Sequence, residues 1–398
     1  MEMPPAMGVI AVHQLAGKLV TGVSQPVLEV KLECMDILDD LLRRFGASLK
    51  EDEAHRCLDA LFSELGSSRA AARKRAIACI ASLSATLSDK LLGQMVTSVV
   101  EKMNDTSCKL ELRRTYVQTL SSISRSGGYR IGKQIEIVVP LVLQQCDPTR
   151  SAGDAEMLES CLQAFESFVL RCPREVAAFQ PIISQIALRY VSYDPNYASD
   201  DDPGDEDEDE DDEFGEDDDA DYSDDDDVSW KVRRAAAKVL SAIIVSRPER
   251  LRELLPEVVP VLVGRFKERE ENVKMDIFAT FGDLLDQVAL SLRQDDADGG
   301  MSSTQTLHND EPNDMLRQRV PEIVRATCRQ FKDKSLKTRI AAFSLMRQLL
   351  ATIPGCLSEH AGALVPGLDR ALKDDASNHL RIEALLFLQN ALASDISH

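Results

Sequence analysis

One recurrence constrains this chain more than any other feature. A basic residue is followed by apolar residues four, seven and ten positions later, and the pattern returns after roughly 42 residues. Lys31 leads Met35, Leu38 and Leu41, Arg73 leads Ile77, Ile80 and Leu83, and Arg113 leads Val117, Leu120 and Ile123. The series continues with Arg233 (Ala237, Leu240, Ile243), Lys274 (Phe278, Phe281, Leu284), Arg339 (Phe343, Met346, Leu349) and Arg381 (Leu385, Leu388, Ala391). Leu158 opens a further copy with Leu162, Phe165 and Phe168, but stands where the others have the base. These offsets fall along one face of an α-helix, so each copy encodes a helix with an apolar stripe and, Leu158 aside, a cation near its start.

Successive anchors are 42, 40, 45, 75, 41, 65 and 42 residues apart. The two long intervals contain the two polar segments, about 196–228 and 291–313, and without them both return to roughly 42. The segments therefore interrupt a period and do not separate unlike domains. A second apolar helix precedes each anchor helix, often with a proline (Pro140, Pro181, Pro260, Pro321, Pro366) expected to remove a backbone donor and bend it. Two helices in about 40–47 residues resemble the HEAT repeat.

A second mark agrees with that repeat: an acid lies six residues before the base in Asp227–Arg233, Glu268–Lys274, Asp333–Arg339 and Asp375–Arg381. In HEAT arrays such positions fall at the inter-helix turn and early in the second helix, where acid and base form a ladder between neighbouring repeats. An acid at a helix start also satisfies free amide donors. Accidental surface pairing is the alternative.

The expected fold is all-α, a right-handed α-solenoid of about eight HEAT hairpins with a disordered acidic insertion. Residues 8–195 would hold four repeats and the first helix of a fifth, and 196–228 the acidic loop. The rest of the fifth repeat and the sixth follow at 229–290, a polar insertion at 291–313, and the last two repeats at 314–398. A lone hairpin buries too few apolar side chains to offset the ordering of about 40 residues at about 1–2 kcal/mol each, so the hairpins must stack. The last anchor helix, "LRIEALLFLQNALA", stays apolar almost to its end. An exposed apolar end and aggregation in isolation are expected.

The formal net charge is −21, yet residues 200–227 hold 21 of the 67 acids and no Lys or Arg. The remainder has 46 acids against 46 bases, which gives no global field suited to nucleic acid. The nine cysteines stand singly without a CxxC, which argues against a disulfide framework or zinc site and suits a reducing compartment. With no signal peptide recognised at "MEMPPAMGVIAV" and apolar runs too short for a bilayer, a soluble cytoplasmic or nuclear protein is expected, with no membrane partner.

Motifs for chemistry are weak. "GGYRIGK" (127–133) matches the first seven residues of a phosphate loop, but Gln134 replaces the magnesium-binding Ser or Thr and a helix pattern precedes it. An inter-repeat turn explains the glycines better. Cys79 and Cys161 lie on apolar helix faces, and no catalytic, metal or cofactor-binding residue is assigned. The cluster "KVRRAAAK" reads as a localisation signal, an anion site or a solvated, partner-facing edge. The acidic segment reads either as a solvating loop or as an electrostatic arm for a basic surface. Within it Ser223 precedes four acids and, at its edge, Ser199 precedes three, as acidophilic-kinase acceptors do.

The residues around the acidic segment are more specific. "YDPNY" (193–197), "YSDDDDVSWKVRRAAAK" (222–238), "RFKEREENVK" (265–274), "QAFESFVLRCPREV" (163–176) and "LVPGL" (364–368) closely resemble the cullin-associated, neddylation-dissociated proteins, also described as TATA-binding-protein-interacting proteins. The resemblance runs from about residue 20 through nearly the whole chain. It implies a non-enzymatic exchange factor of SCF-type cullin–RING ubiquitin ligases. Such a factor wraps an unneddylated cullin with its RING subunit, blocks neddylation and promotes substrate-receptor exchange.

The family chain is much longer, so this one reads as an N-terminal-region portion lacking the adaptor-competing part. The first repeats look missing, and "MEMPPAMG" looks like a replacement start. The insertion at 291–313 and Leu158 also depart from the pattern. Candidate contacts are Asp194, Asn196, Tyr197, Trp230, Lys231, Arg234, Lys267 and Arg269, with repeat packing as the alternative role. Two other functions use similar parts: an importin-type transport receptor binding a small GTPase and basic cargo, and an acidic chaperone of basic proteins whose affinity collapses in moderate salt.

Overall fold

The computed structural model describes residues 5–146, 154–194, 228–297, 312–374 and 377–396. Asn196, Tyr197, Ser199, Ser223, Asp227 and Asp375 lie outside the described residues, with nearly all of the acidic segment. The described chain is helical and contains no strand. Its first half comprises α1 (Pro5–Val23), α2 (Leu28–Phe45), α3 (Glu51–Leu65), α4 (Ala70–Ser84), α5 (Asp89–Asn104), α6 (Leu110–Gly127), α7 (Ile135–Gln145) and α8 (Ala155–Arg171). Its second half comprises α9 (Gln180–Tyr190), α10 (Ser229–Ser246), α11 (Leu251–Gly264), α12 (Glu271–Ala297), α13 (Pro312–Gln330), α14 (Leu336–Thr352), α15 (Ala361–Lys373) and α16 (Asn378–Ile396).

Odd and even helices pair as antiparallel hairpins, and the hairpins stack into an α-solenoid. Successive even-numbered helices pack intimately, whereas the odd-numbered ones are held further apart. The array therefore bends with the even row on its inside. One hydrophobic cluster runs without a break from Val12 to Phe387, so each hairpin completes the core of its neighbours. Small polar residues let the even helices approach closely. Ser121 Oγ donates to the Gln163 carbonyl at 3.2 Å, Thr280 Oγ1 to that of Ala237 at 3.1 Å, and Cys79 Sγ to that of Met35 at 3.2 Å.

The anchor register holds through seven of the eight copies. Met35, Leu38, Val117, Phe165, Phe281, Phe343 and their partners at the same offsets are buried. It fails in α16, where Leu385 is 53% exposed and Leu380, Ala384 and Phe387 are buried instead. The reason is a division of labour. Positions three and six after the anchor face the preceding even helix, as Phe387 faces Phe343 with ring centroids 6.1 Å apart. Positions four, seven and ten serve the following helix, and the described residues place none beyond α16.

Two local expectations are corrected. Pro181 sits in the first turn of α9, where its missing N–H breaks no bond, while Pro140, Pro260, Pro321 and Pro366 lie inside their helices. Further, α12 continues to Ala297, so the first residues of the segment read as a polar insertion are helical. No glycine or proline interrupts that stretch, and adding residues to an existing helix is cheap.

Candidate functional site

The turn acids and anchor bases meet across neighbouring hairpins. Arg233 of α10 donates Nε and Nη2 to the two carboxylate oxygens of Glu268 at 3.0 and 3.1 Å. Both side chains are fully buried. The remaining nitrogen, Nη1, donates to the Ser229 hydroxyl at 2.8 Å and the Tyr193 carbonyl at 3.1 Å. Glu268 also accepts from Arg265 and from the Glu270 amide. Burial alone would raise its pKa, but the guanidiniums of Arg265 and Arg233 outweigh that and hold the carboxyl below its ordinary 4.5.

The same rung recurs. Lys274 reaches Asp333 at 2.6 Å and Gln330 at 3.3 Å, and Arg339 reaches Asp374 at 2.8 Å. Lys31 meets Glu64 at 2.6 Å, and Arg73 meets Glu111 at 2.8 Å. Each base thus ties its helix to the next hairpin. The last two acids escape a six-residue rule: Glu64 precedes Arg73 by nine residues and Glu111 precedes Arg113 by two. Carboxylates from several turn positions reach the same cation. Arg339 meets Asp374, whose neighbour Asp375 lies outside the described residues.

The rungs leave the candidate contacts in two groups. At the turns, Arg269 lies 3.5 Å from Asp194, joining chain on either side of the acidic segment, and Lys267, two residues before Arg269, is exposed. On α10, Trp230, Lys231 and Arg234 line a groove of about 390 Å³ with Arg125, Glu159, Glu166 and Lys238. Trp230 is half-buried against the core with the Lys231 ammonium 5.7 Å from its ring centroid, while Arg234 is held by Asp276 at 2.6 Å. Glu159 and Glu166, which sequence reasoning missed, are raised by burial despite the nearby cations Lys231, Arg234, Lys238 and Arg125.

A second polar ladder runs along the even row: Arg75–Asp36 at 2.7 Å, Ser241–Asp283 at 2.5 Å and Arg347–Glu383 at 3.1 Å. Its signal was present as acid and partner about 36–42 residues apart, one repeat. The even row thus carries charged and polar pairs between neighbouring helices over a shared core. It can engage several separated points of one long partner simultaneously.

The glycine motif at 127–133 forms the turn between α6 and α7. Gly128 takes a φ of +61°, which favours glycine, and Arg130 is bound to Asp89 at 2.8 Å. No strand leads into it, since α6 ends at Gly127. Among the described residues no group of three or more His, Cys, Asp or Glu is placed to hold a metal, and no helix is long and apolar enough to cross a membrane.

A family model for the HEAT-like repeat matches residues 230–275, α10 through the start of α12. Cullin-associated NEDD8-dissociated protein 1 of Arabidopsis thaliana is 42% identical over 397 residues, covering 99% of this chain and 32% of the relative. Protein 2 of that name from Mus musculus is 38% identical over 408 residues, again 99% of this chain and 32% of the relative. The Drosophila melanogaster protein 1 is 37% identical over 402 residues, with 100% of this chain and 31% of the relative covered. The chain thus spans about a third of the length of the relatives it matches. Among solved structures, importin beta superposes with a TM-score of 0.64 at 12% identity over 98% of this chain and 42% of that one. Kap121p does so with a TM-score of 0.56 at 12% identity, over 98% of this chain and 36% of that one. These two show the shared solenoid fold. Similarity at this level along its whole length places the chain in the family of cullin-associated NEDD8-dissociated proteins.

Proposed function

We propose that this chain is a non-catalytic, cullin-binding part of an assembly and exchange factor for cullin–RING ubiquitin ligases, acting in cytoplasm and nucleus. The observation that carries this reading is the unbroken even-helix face on a chain whose relatives are named for cullin association. A long curved surface suits a rod-shaped partner bound with its RING subunit. Occupying that partner would keep the ubiquitin-like modifier off it and free substrate receptors to exchange. Trp230, Lys231, Arg234, Lys267, Arg269 and Asp194 flank this face or its turns, and Asn196 and Tyr197 adjoin them in sequence.

The test is retention of a purified cullin–RING pair on the immobilised chain. Unmodified cullin should be retained and NEDD8-modified cullin lost. Lys231→Glu with Lys267→Glu should weaken retention about tenfold, the effect of removing one strong polar contact. Equal retention of both cullin forms, or none of either, would reject the reading. Capture of a small GTPase with basic cargo in their place would support the transport-receptor reading.

A further inference from the structure

A second surface lies on the odd row, away from the cullin-directed face. Helix α15 meets the turn that follows α13 where Gly367 contacts the buried Phe331; a Cβ at Gly367 would stand 2.4 Å from that ring. Beside this contact the two helices enclose an open trench of about 610 Å³. Its floor is apolar, formed by Pro321, Val324, Ala363 and Pro366. Its rim is cationic. Arg325, Arg329 and Lys332 stand at i, i+4 and i+7, so they follow one side of α13 and the turn after it, and Arg370 faces them from α15.

All four cations are exposed, and no carboxylate lines the trench. Two carboxylates of the same helices are already engaged, Glu322 by Arg319 at 3.2 Å and Asp369 by Lys373 at 2.6 Å. Elsewhere the array pairs its charges, as in Arg75–Asp36, Arg234–Asp276 and Arg347–Glu383. Outside residues 200–227 acids and bases are equal in number, so a cluster without acids does not follow from a basic surface. Helix dipoles favour cations in a last turn, which accounts for Arg329 and Arg370. They do not account for Arg325, further from the end of α13, nor for an apolar floor left beneath four cations.

We propose that this trench docks an acidic peptide segment of a partner protein, one carrying an apolar side chain among its carboxylates. Guanidinium groups take carboxylates in bidentate pairs, and the floor of prolines, valine and alanine takes the apolar anchor. A free inorganic anion would leave that floor unfilled. A nucleic-acid phosphate backbone likewise offers no apolar side chain to that floor.

The test uses the whole chain and a fluorescent dodecapeptide of alternating Asp and Glu with one central Phe, followed by anisotropy at low and moderate salt. Saturable binding is expected, weakened at least tenfold by Arg325→Glu with Arg329→Glu and Lys332→Glu, and about tenfold when the Phe is Ser. Lys231→Glu with Lys238→Glu, in the α10 groove, should leave it unchanged. A milder variant, Arg325→Gln with Arg329→Gln, should weaken it in part without altering the melting midpoint. No saturable binding, or equal loss in both charge-reversed variants, would overturn the proposal. Binding that appears only after residues 200–227 are deleted would also overturn it, by making the chain's own acidic segment the occupant. None of these readouts needs cullin, so this proposal and the cullin reading fail independently.

Discussion

Arg233 and Glu268 lie 35 residues apart in sequence, and in the fold they make a doubly hydrogen-bonded ion pair at 3.0 and 3.1 Å with no solvent access to either side chain. The pair joins the fifth hairpin to the sixth. Through Tyr193 and Ser229 it also fastens the chain on both sides of the acidic segment. Removing one partner strands a buried charge. Arg233→Met or Glu268→Leu is expected to destabilise by about 3–5 kcal/mol, and the double variant should recover most of that loss. Urea unfolding followed by circular dichroism measures both, and equal loss in the single and double variants would contradict the account.

Acid stability follows from the same rungs. Burial would raise Glu268 and Asp333, but Arg265, Arg233 and Lys274 hold them below their ordinary 4.5 and 3.8. Their contribution is complete above those values and is lost as pH falls through the lower folded ones. Glu159 and Glu166 work in the opposite sense. Burial raises them above 4.5, so their contribution is complete below that value and lost as pH rises through the higher folded ones. Glu268→Gln should flatten the acid limb of urea midpoint against pH, and Glu159→Gln with Glu166→Gln the limb above 4.5. Unchanged limbs would show that these groups do not set them.

Gly367 marks a contact that cannot accept a side chain. Its added Cβ would meet Phe331 at 2.4 and 3.0 Å, and that ring is stacked on Phe343. Gly367→Val should cost about 1–3 kcal/mol by forcing α15 off the turn after α13. Faster hydrogen exchange in α15 and α16, with α1–α6 unaffected, is the expected sign in an array stabilised by neighbours.

The buried thiols should be inert in the folded chain. Burial pushes Cys79 and Cys172 up to about 12 and Cys57 to about 11. A thiol reagent at neutral pH should label these three only after unfolding. Labelling within minutes in native buffer would mean that the shared core opens readily.

An acidophilic kinase should modify Ser223 and Ser199, which precede four and three acids. If the acidic segment serves as an electrostatic arm, phosphorylation should steepen the salt dependence of partner binding. Mass spectrometry locates the sites, and Ser223→Ala with Ser199→Ala should abolish the change.

Periodicity alone determined the helices, their pairing and most of the buried stripe, because a face of offsets four, seven and ten can be buried only against another helix. It also marked Arg233, Glu268, Lys274 and Asp333 as ladder residues, since charge recurring at one place in each repeat needs a recurring partner. Which acid meets which base was decided only in three dimensions: Glu64 and Glu111 serve where a fixed spacing named other positions or none. The same holds for α16, whose buried side depends on which neighbour is present. The groove holding Glu159 and Glu166 and the trench between α13 and α15 were also invisible in sequence. Each is formed by residues on different hairpins, and their burial and uncompensated charge come from the distance between helices, a quantity that no single repeat encodes.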